Sequence, residues 1–272
     1  MNKIGIIAGN GDLPLCIGKN LIRNNYKVCF FCIKNFANIN IYKNFENIEI
    51  ELTSFSNILK LLTEKKINEI IMVGGITRPS INDIKFDFNT LSLIKDYFLE
   101  SKGDDQLLQT ISNFFLKKGF PLFDWKKKCT DLFSSEDNLS QKKPSKHAIK
   151  NMHKGLDIFK FVGTVDIGQS IIIQNQLILG VESIEGTDEL MRRCKKYKKD
   201  GDKGILLKLS KYKQDIKLDL PTIGLDTVKI LFNCNYEGIF IEKDKCVIVE
   251  KEKVIDYCNE NKLFLSTVKK ID

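Results

Sequence analysis

Long apolar runs are missing from this 272-residue chain. No stretch approaches the roughly 18 apolar residues that a bilayer-spanning helix needs, so nothing reads as crossing a membrane. The opening Met-Asn-Lys-Ile-Gly-Ile-Ile-Ala-Gly-Asn-Gly-Asp-Leu-Pro is too short in its apolar part for a signal peptide and breaks at once on glycines. The expected location is therefore the cytoplasm. Histidine is scarce: the chain has 2, His147 and His153, both in a basic stretch. That excludes a His-rich zinc site and leaves no convincing Ser-His-Asp triad. No internal repeat of fixed period is visible. The third glycine of a dinucleotide fingerprint is missing, because Pro14 stands there. The acidic residue that would hold a ribose is missing too, since Ile33-Lys34-Asn35 ends the second apolar run. NAD binding is not expected on either count.

What is present is an ordinary globular balance, 43% hydrophobic and 29% charged, which supports a core without staples. The length suggests one large domain or two modest ones, at about 150 residues each. Lys plus Arg is 43 against 35 for Asp plus Glu, a net charge of +8 that favours anionic partners. The 8 cysteines are scattered, and free buried thiols are the expected state. Cys29-Phe30-Phe31-Cys32 has the form of a chelating pair. It lies in an apolar strand-like run, however, where residues three apart point to opposite faces, so metal or redox work is not expected of it.

Apolar runs at 3–8, 27–33 and 69–73 alternate with helical patterns from Leu13 to Leu21 and from Thr53 to Glu64. Strand-helix-strand-helix-strand predicts a parallel sheet covered by helices, a Rossmann-like first domain. Helices are expected at about 90–101 and 104–118. A polar, proline-containing stretch then predicts a boundary: domains at 1–133 and 147–272, joined by a linker over 134–146. The second half predicts another α/β domain. Its elements are a helix from 146, a hairpin of 170–174 with 177–181 around Asn175-Gln176, a helix from 187, a strand at 204–209, a helix after Pro221, strands near 238–241 and 245–249, a helix from 251 and a last strand at 263–268. Lys195 to Lys203 reads as a solvated charged loop.

Several turns carry candidate chemistry. Gly9, Gly11, Asp12 and Leu13 follow the first strand and open a helix. They are either a tight turn or a cradle where backbone N–H groups meet an anion. Arg78, in Thr77-Arg78-Pro79 beyond a strand end, is either a surface arginine or a phosphate fork. Asp104 and Asp105 precede an apolar helix. One is explained as a cap, and the adjacent pair offers oxygen ligands to Mg²⁺. Three further acidic, glycine-containing turns are Asp166-Ile-Gly168-Gln169, Glu185-Gly-Thr187-Asp188 leading to Arg192 and Arg193, and Asp219-Leu-Pro-Thr222-Ile-Gly224. By their chemistry Gly168, Gln169, Thr187, Arg192 and Thr222 are candidate substrate contacts, and Glu185 and Asp188 candidate metal ligands. Taken alone each turn has a purely structural explanation; together they point to an enzyme acting on a phosphate ligand.

The ordered set Ile-Ala-Gly-Asn-Gly-Asp-Leu-Pro (7–14), Thr-Arg-Pro (77–79), Lys-Gly-Asp-Asp-x-Leu-Leu (102–108), Asp-Ile-Gly-Gln-Ser (166–170), Val-Glu-x-x-Glu-Gly-Thr-Asp-x-x-x-Arg-Arg (181–193) and Asp-Leu-Pro-Thr-Ile-Gly (219–224) resembles the LpxI family over nearly the whole chain. Members are UDP-2,3-diacylglucosamine diphosphatases of lipid A biosynthesis. The resemblance implies two domains with the active site in the cleft between them. It implies Mg²⁺-dependent cleavage of the diphosphate of UDP-2,3-diacylglucosamine into UMP and 2,3-diacylglucosamine 1-phosphate. It also implies that Asp219 is essential for turnover. Asn10 departs from the family's usual triple glycine, Lys217 stands for an arginine and Tyr212 for a proline. Lys217 keeps the charge and loses the planar fork.

The basic balance suits transient contact with the anionic inner-membrane surface. A homo-oligomer is left open. Two rival readings stand beside this one: a hydrolase of another nucleotide diphosphate sugar, and a non-catalytic nucleic-acid-binding protein. The second is disfavoured, because the positive charge is mostly lysine spread among Asn and Ile and no aromatic–basic module is visible.

Overall fold

The computed structural model describes residues 2–52, 54–76, 104–164, 167–212 and 220–270, with the side chains of 104–107 left aside. The architecture is two-domain α/β, with one all-parallel and one mixed sheet. The chain passes from the first compact unit to the second between Cys129 and Thr130.

The first unit is built on β1 (Lys3–Ala8), β2 (Lys27–Ile33), β3 (Asn47–Ile50) and β4 (Glu69–Val73). All pairings are parallel, in the order β3-β2-β1-β4. Successive side chains of β2 point to opposite faces, so each face takes its own cover. Phe30 faces α1 (Leu13–Arg23), where Gly18 permits the approach: a Cβ there would lie 2.2 Å from the Phe30 ring. Phe31 and Cys29 face the other way, into a core with Ile58 and Leu62 of α2 (Phe55–Glu64) and Phe114 and Phe115 of α3 (Asp104–Lys117). Phe55 and Phe114 meet edge to face at 5.4 Å. Cys32 lies outside that cluster, as the expected alternation of the Cys29/Cys32 pair requires. Burial first, and Glu46 next, push the Cys29 thiol up to about 12, which keeps it an inert core group.

Three expected strands and three expected helices of this half are present, and the helix expected at 90–101 lies outside the described residues. β3 is an addition. It has 4 residues, only one of them buried, too little pattern to stand out from its surroundings.

The second unit carries β5 (Ser170–Gln174), β6 (Leu177–Val181), β7 (Ile205–Lys208), β9 (Gly238–Glu242) and β11 (Phe264–Val268), in the order β11-β9-β7-β5-β6. β7, β9 and β11 run parallel, and β5 is antiparallel to both β7 and β6. The hairpin turns at Asn175 and Gln176, both left-handed at φ of 51° and 60°. β8 (Thr222–Ile223) and β10 (Val247–Ile248) form a separate parallel pair. Strand alternation divides the core. Ile172, Leu206, Ile239, Ile241 and Leu265 meet α5 (Gly186–Lys195), α6 (Leu225–Asn233) and α7 (Lys251–Glu260). Ile171, Ile173, Leu207, Phe240 and Phe264 meet α4 (Lys146–Val162).

Residues 136–140 of the polar stretch run along the edge of β11. Leu139 N donates to Leu265 O at 2.9 Å, Leu265 N to Ser140 Oγ at 2.7 Å, and Thr267 N to Asp137 O at 2.9 Å. That covers an edge which would otherwise present unpaired backbone groups. Glu237, itself buried, accepts from Ser145 N at 2.9 Å and Ser145 Oγ at 2.8 Å, and Ser145 caps α4 through Ala148 N at 3.1 Å.

Leu207 is fully buried between β5, β9 and α4. Leu207→Ala should therefore cost about 2–5 kcal/mol, read as a lower urea midpoint with an unchanged slope.

Candidate functional site

In open α/β sheets ligands sit beyond the carboxyl ends of parallel strands, where connections diverge. In the first unit that point lies between β1 and β4. Gly9 N donates to Val73 O at 2.9 Å, and Asn10 and Gly75 exchange backbone bonds of 2.8 and 3.0 Å. A Cβ on Gly9 would meet Gly75 O at 2.7 Å, so Gly9 is a packing glycine that lets two loops interlock. Gly11 differs: its φ is +90°, a Cβ there would meet nothing within 4 Å, and its N–H is taken by Asn10 Oδ1 at 2.8 Å. Asp12 precedes α1 without a side-chain cap, and Leu13 opens the helix.

The second unit has the richer edge. Ser170 and Lys208 are register partners at the ends of β5 and β7. They share parity with Ile172 and Leu206, so both lie on the α5 face. Thr187, in the first turn of α5, completes the group. Lys208 Nζ donates to Thr187 Oγ1 and, at 3.5 Å, to Ser170 Oγ, and the two hydroxyls lie 3.0 Å apart. Glu182, just past β6, accepts from Thr187 Oγ1 at 3.0 Å and from Gln169 N at 3.1 Å. Burial alone would raise the Glu182 carboxyl. The Lys208 charge, hydrogen bonds from Ser170 and Thr187, and the Gln169 N–H outweigh it and hold the group below the usual carboxylate range. Gly168 belongs to the same packing: a Cβ there would lie 2.2 Å from Glu182 O.

Asp188, half-buried beside this group, behaves oppositely. Burial lifts its carboxyl above the usual range; Lys208 and Arg192 oppose the rise, while Asp226 and Glu182 add to it. A raised carboxyl thus stands next to a depressed one at the strand ends of the second sheet. The remaining candidates divide. Glu185 is bound to Arg193 at 2.6 Å and Arg192 to Glu189 at 2.5 Å, both as surface pairs. Thr222 lies in β8, its hydroxyl donating to Leu220 O at 3.0 Å. Arg78, Asp166 and Asp219 lie outside the described residues, as do the side chains of Asp104 and Asp105. Among the described residues, no group of three or more His, Cys, Asp or Glu is arranged to hold a metal ion.

The structure thus gathers Gly168, Gln169, Thr187 and Asp188 at one edge. It adds Ser170, Glu182 and Lys208, which sequence reasoning did not single out. Lys208 had a signal: it interrupts Gly204-Ile-Leu-Leu-Lys-Leu-Ser210 at a position where an interior face expects an apolar residue. Glu242 was missed likewise. It is 3% exposed at the end of β9 and accepts from Ser210 N at 2.7 Å and Ser210 Oγ at 2.6 Å.

These features define a two-domain α/β protein with a charged, hydroxyl-lined edge at the strand ends of its second sheet. The chain belongs to the LpxI family: the model of the LpxI N-terminal domain matches residues 3–132 and that of the LpxI C-terminal domain residues 135–266. It is similar to a Caulobacter vibrioides protein named UDP-2,3-diacylglucosamine pyrophosphatase LpxI, at 26% identity over 272 residues and 97% of each chain.

Because Glu182 is depressed in the fold, it stabilises fully above the ordinary glutamate value of 4.5, and that contribution is lost as the pH falls through its lower folded value. Glu182→Gln should flatten the acid limb of the stability profile below about pH 4.5, measured by urea melts across pH.

Proposed function

We propose that the protein hydrolyses the diphosphate bond of UDP-2,3-diacylglucosamine, releasing UMP and 2,3-diacylglucosamine 1-phosphate in a step of lipid A biosynthesis. The observation that carries this reading is the match of both halves to the two LpxI domains, together with a relative of that name aligned over 97% of each chain. The chemistry of the second sheet's edge supports it. A diphosphate needs charge neutralisation more than it needs a strong nucleophile. The first turn of α5 offers backbone N–H groups to phosphate oxygens, with Gly168 and Gln169 beside them.

In this reading Asp219, the aspartate of Asp-Leu-Pro-Thr-Ile-Gly, orients or deprotonates the attacking water. The resemblance also implies Mg²⁺, which would supply Lewis-acid neutralisation of the phosphates. The described residues do not make a complete ligand set for it. Mg²⁺ commonly takes only one or two carboxylates besides substrate oxygens and water, and Asp188 is the described carboxylate at the edge that suits it. Arg78, Asp104, Asp105, Glu185, Arg192 and Thr222 stay with the proposal as contacts of substrate or metal, as do Gly9, Gly11, Asp12 and Leu13 as contacts of substrate. Among the described residues no helix is long and apolar enough to cross a membrane. We place the encounter with the lipid substrate at an anionic membrane surface, reached transiently through the net charge of +8.

The wild-type chain should release UMP from UDP-2,3-diacylglucosamine and leave UDP-N-acetylglucosamine intact. EDTA should abolish the reaction and added Mg²⁺ restore it; full turnover in chelator would end the metal assignment. Asp219→Ala should keep substrate binding and lose about 10²-fold or more in kcat. Asp188 gives a different signature. Its carboxyl is raised in the fold, so the charged form is a cost at neutral pH that a neutral amide removes. Asp188→Asn should therefore raise the melting temperature at pH 7 while lowering turnover.

A further inference from the structure

We propose that Lys208, at the carboxyl end of β7, is a binding residue whose ammonium contacts a non-bridging oxygen of the substrate's diphosphate. This rests on the function proposed above and assigns a residue to it.

The first observation is position. Lys208 is 6% exposed and stands on the face of the sheet that is otherwise lined by Ile172, Leu206, Ile239 and Leu265. A charge in such a place is costly to desolvate, and a well-packed apolar residue there would serve stability as well or better. Packing therefore does not account for the lysine.

The second observation is how the charge is compensated. Among the described residues Lys208 makes no direct ion pair; its hydrogen-bond acceptors are the hydroxyls of Thr187 and Ser170. An ammonium has three donors and hydroxyls are modest acceptors, so donor capacity is left for an anion. The balancing carboxylate, Glu182, is one hydroxyl away, joined through Thr187 Oγ1 at 3.0 Å. Such an arrangement sets a counter-charge near the lysine without closing it off in a carboxylate clamp.

The third observation is what surrounds the group. It lies at the end of a parallel strand and against the first turn of α5, two places where backbone geometry favours anions. Thr187, Gln169, Glu182 and Asp188 are only half-buried, so the network is reached from solvent. A diphosphate oxygen placed beside Thr187 meets the lysine's charge, and Glu182 is the counter-charge when no ligand is bound.

A structural pair and a ligand-binding lysine respond differently to removal of each partner. The test uses the full chain, with Lys208→Met, Glu182→Gln and the double variant, each assayed for turnover and, by calorimetry, for binding of UDP. Lys208→Met should lose about 10²-fold or more in kcat/KM on UDP-2,3-diacylglucosamine. Its affinity for UDP should fall at least about tenfold. Glu182→Gln should bind UDP as tightly as the wild type or more tightly, because the competing negative charge is gone. The double variant, with both charges removed, should regain thermal stability relative to Lys208→Met without regaining UDP binding. Should Lys208→Met fail to fold, the double variant carries the same readout.

Wild-type UDP binding in either lysine variant overturns the proposal. So does a loss of UDP affinity in Glu182→Gln as large as that in Lys208→Met, or a wild-type chain that does not bind UDP. A wild-type chain that binds UDP through Lys208 yet leaves UDP-2,3-diacylglucosamine intact overturns the substrate reading and keeps the lysine's role.

Discussion

A strand covered on both faces has room for charge only at its ends. Along β5, β7 and β9 every interior position is apolar, β11 admits only the uncharged Ser266 and Thr267, and the alternation delivers the apolar side chains to one of two packed layers. Burying a charge in such a layer costs far more than burying a methyl group gains. Ionisable groups are therefore pushed to the margin of the sheet, where Lys208, Glu182 and Glu242 stand. The chemistry of the second unit collects at that margin because the interior admits none.

The same constraint shapes the first unit with a different material. Its sheet ends in backbone rather than in charged side chains: Gly9 and Gly74 press their main chains together at the point where the connections from β1 diverge. Gly74 has a φ of +100° and would set a Cβ 2.8 Å from the Gly9 carbonyl carbon, so both loops need glycine for one reason. Loops drawn this close spend their N–H groups on each other: Gly9 N is bonded to Val73 O, and Asn10 and Gly75 bond one another. One unit thus closes its sheet edge with interlocked peptide groups, and the other ends in a lysine, a carboxylate and hydroxyls.

Much of the fold could be read before any coordinates, and the reason is local. The runs at 3–8, 27–33 and 69–73 are apolar after a charged first residue, as strands covered on both faces are, and they are present at those bounds. The Asn175-Gln176 hairpin declares itself in the turn residues. β3 did not, because half-buried residues in a short segment leave no period to detect. The candidate site was legible only in part. Thr187, Asp188, Gly168 and Gln169 lie in acidic, glycine-bearing turns that stand out as turns. Glu185 lies in such a turn as well, yet its carboxylate is engaged by Arg193, at i,i+8 beyond the spacing at which helical neighbours meet.

Composition, period and turn chemistry determined by themselves that this chain is two α/β domains, with free thiols in its core and acidic, glycine-bearing turns at its element ends. These depend on neighbours in sequence, which a reader of the sequence can see. Tertiary structure alone decided that Ser170, Glu182, Thr187 and Lys208 form one network. Their numbers run from 170 to 208, and they meet because β5 pairs antiparallel with β7 while α5 starts above both strand ends. Strand pairing and the direction of a helix are settled by which apolar faces bury one another, and no local stretch of sequence records that choice.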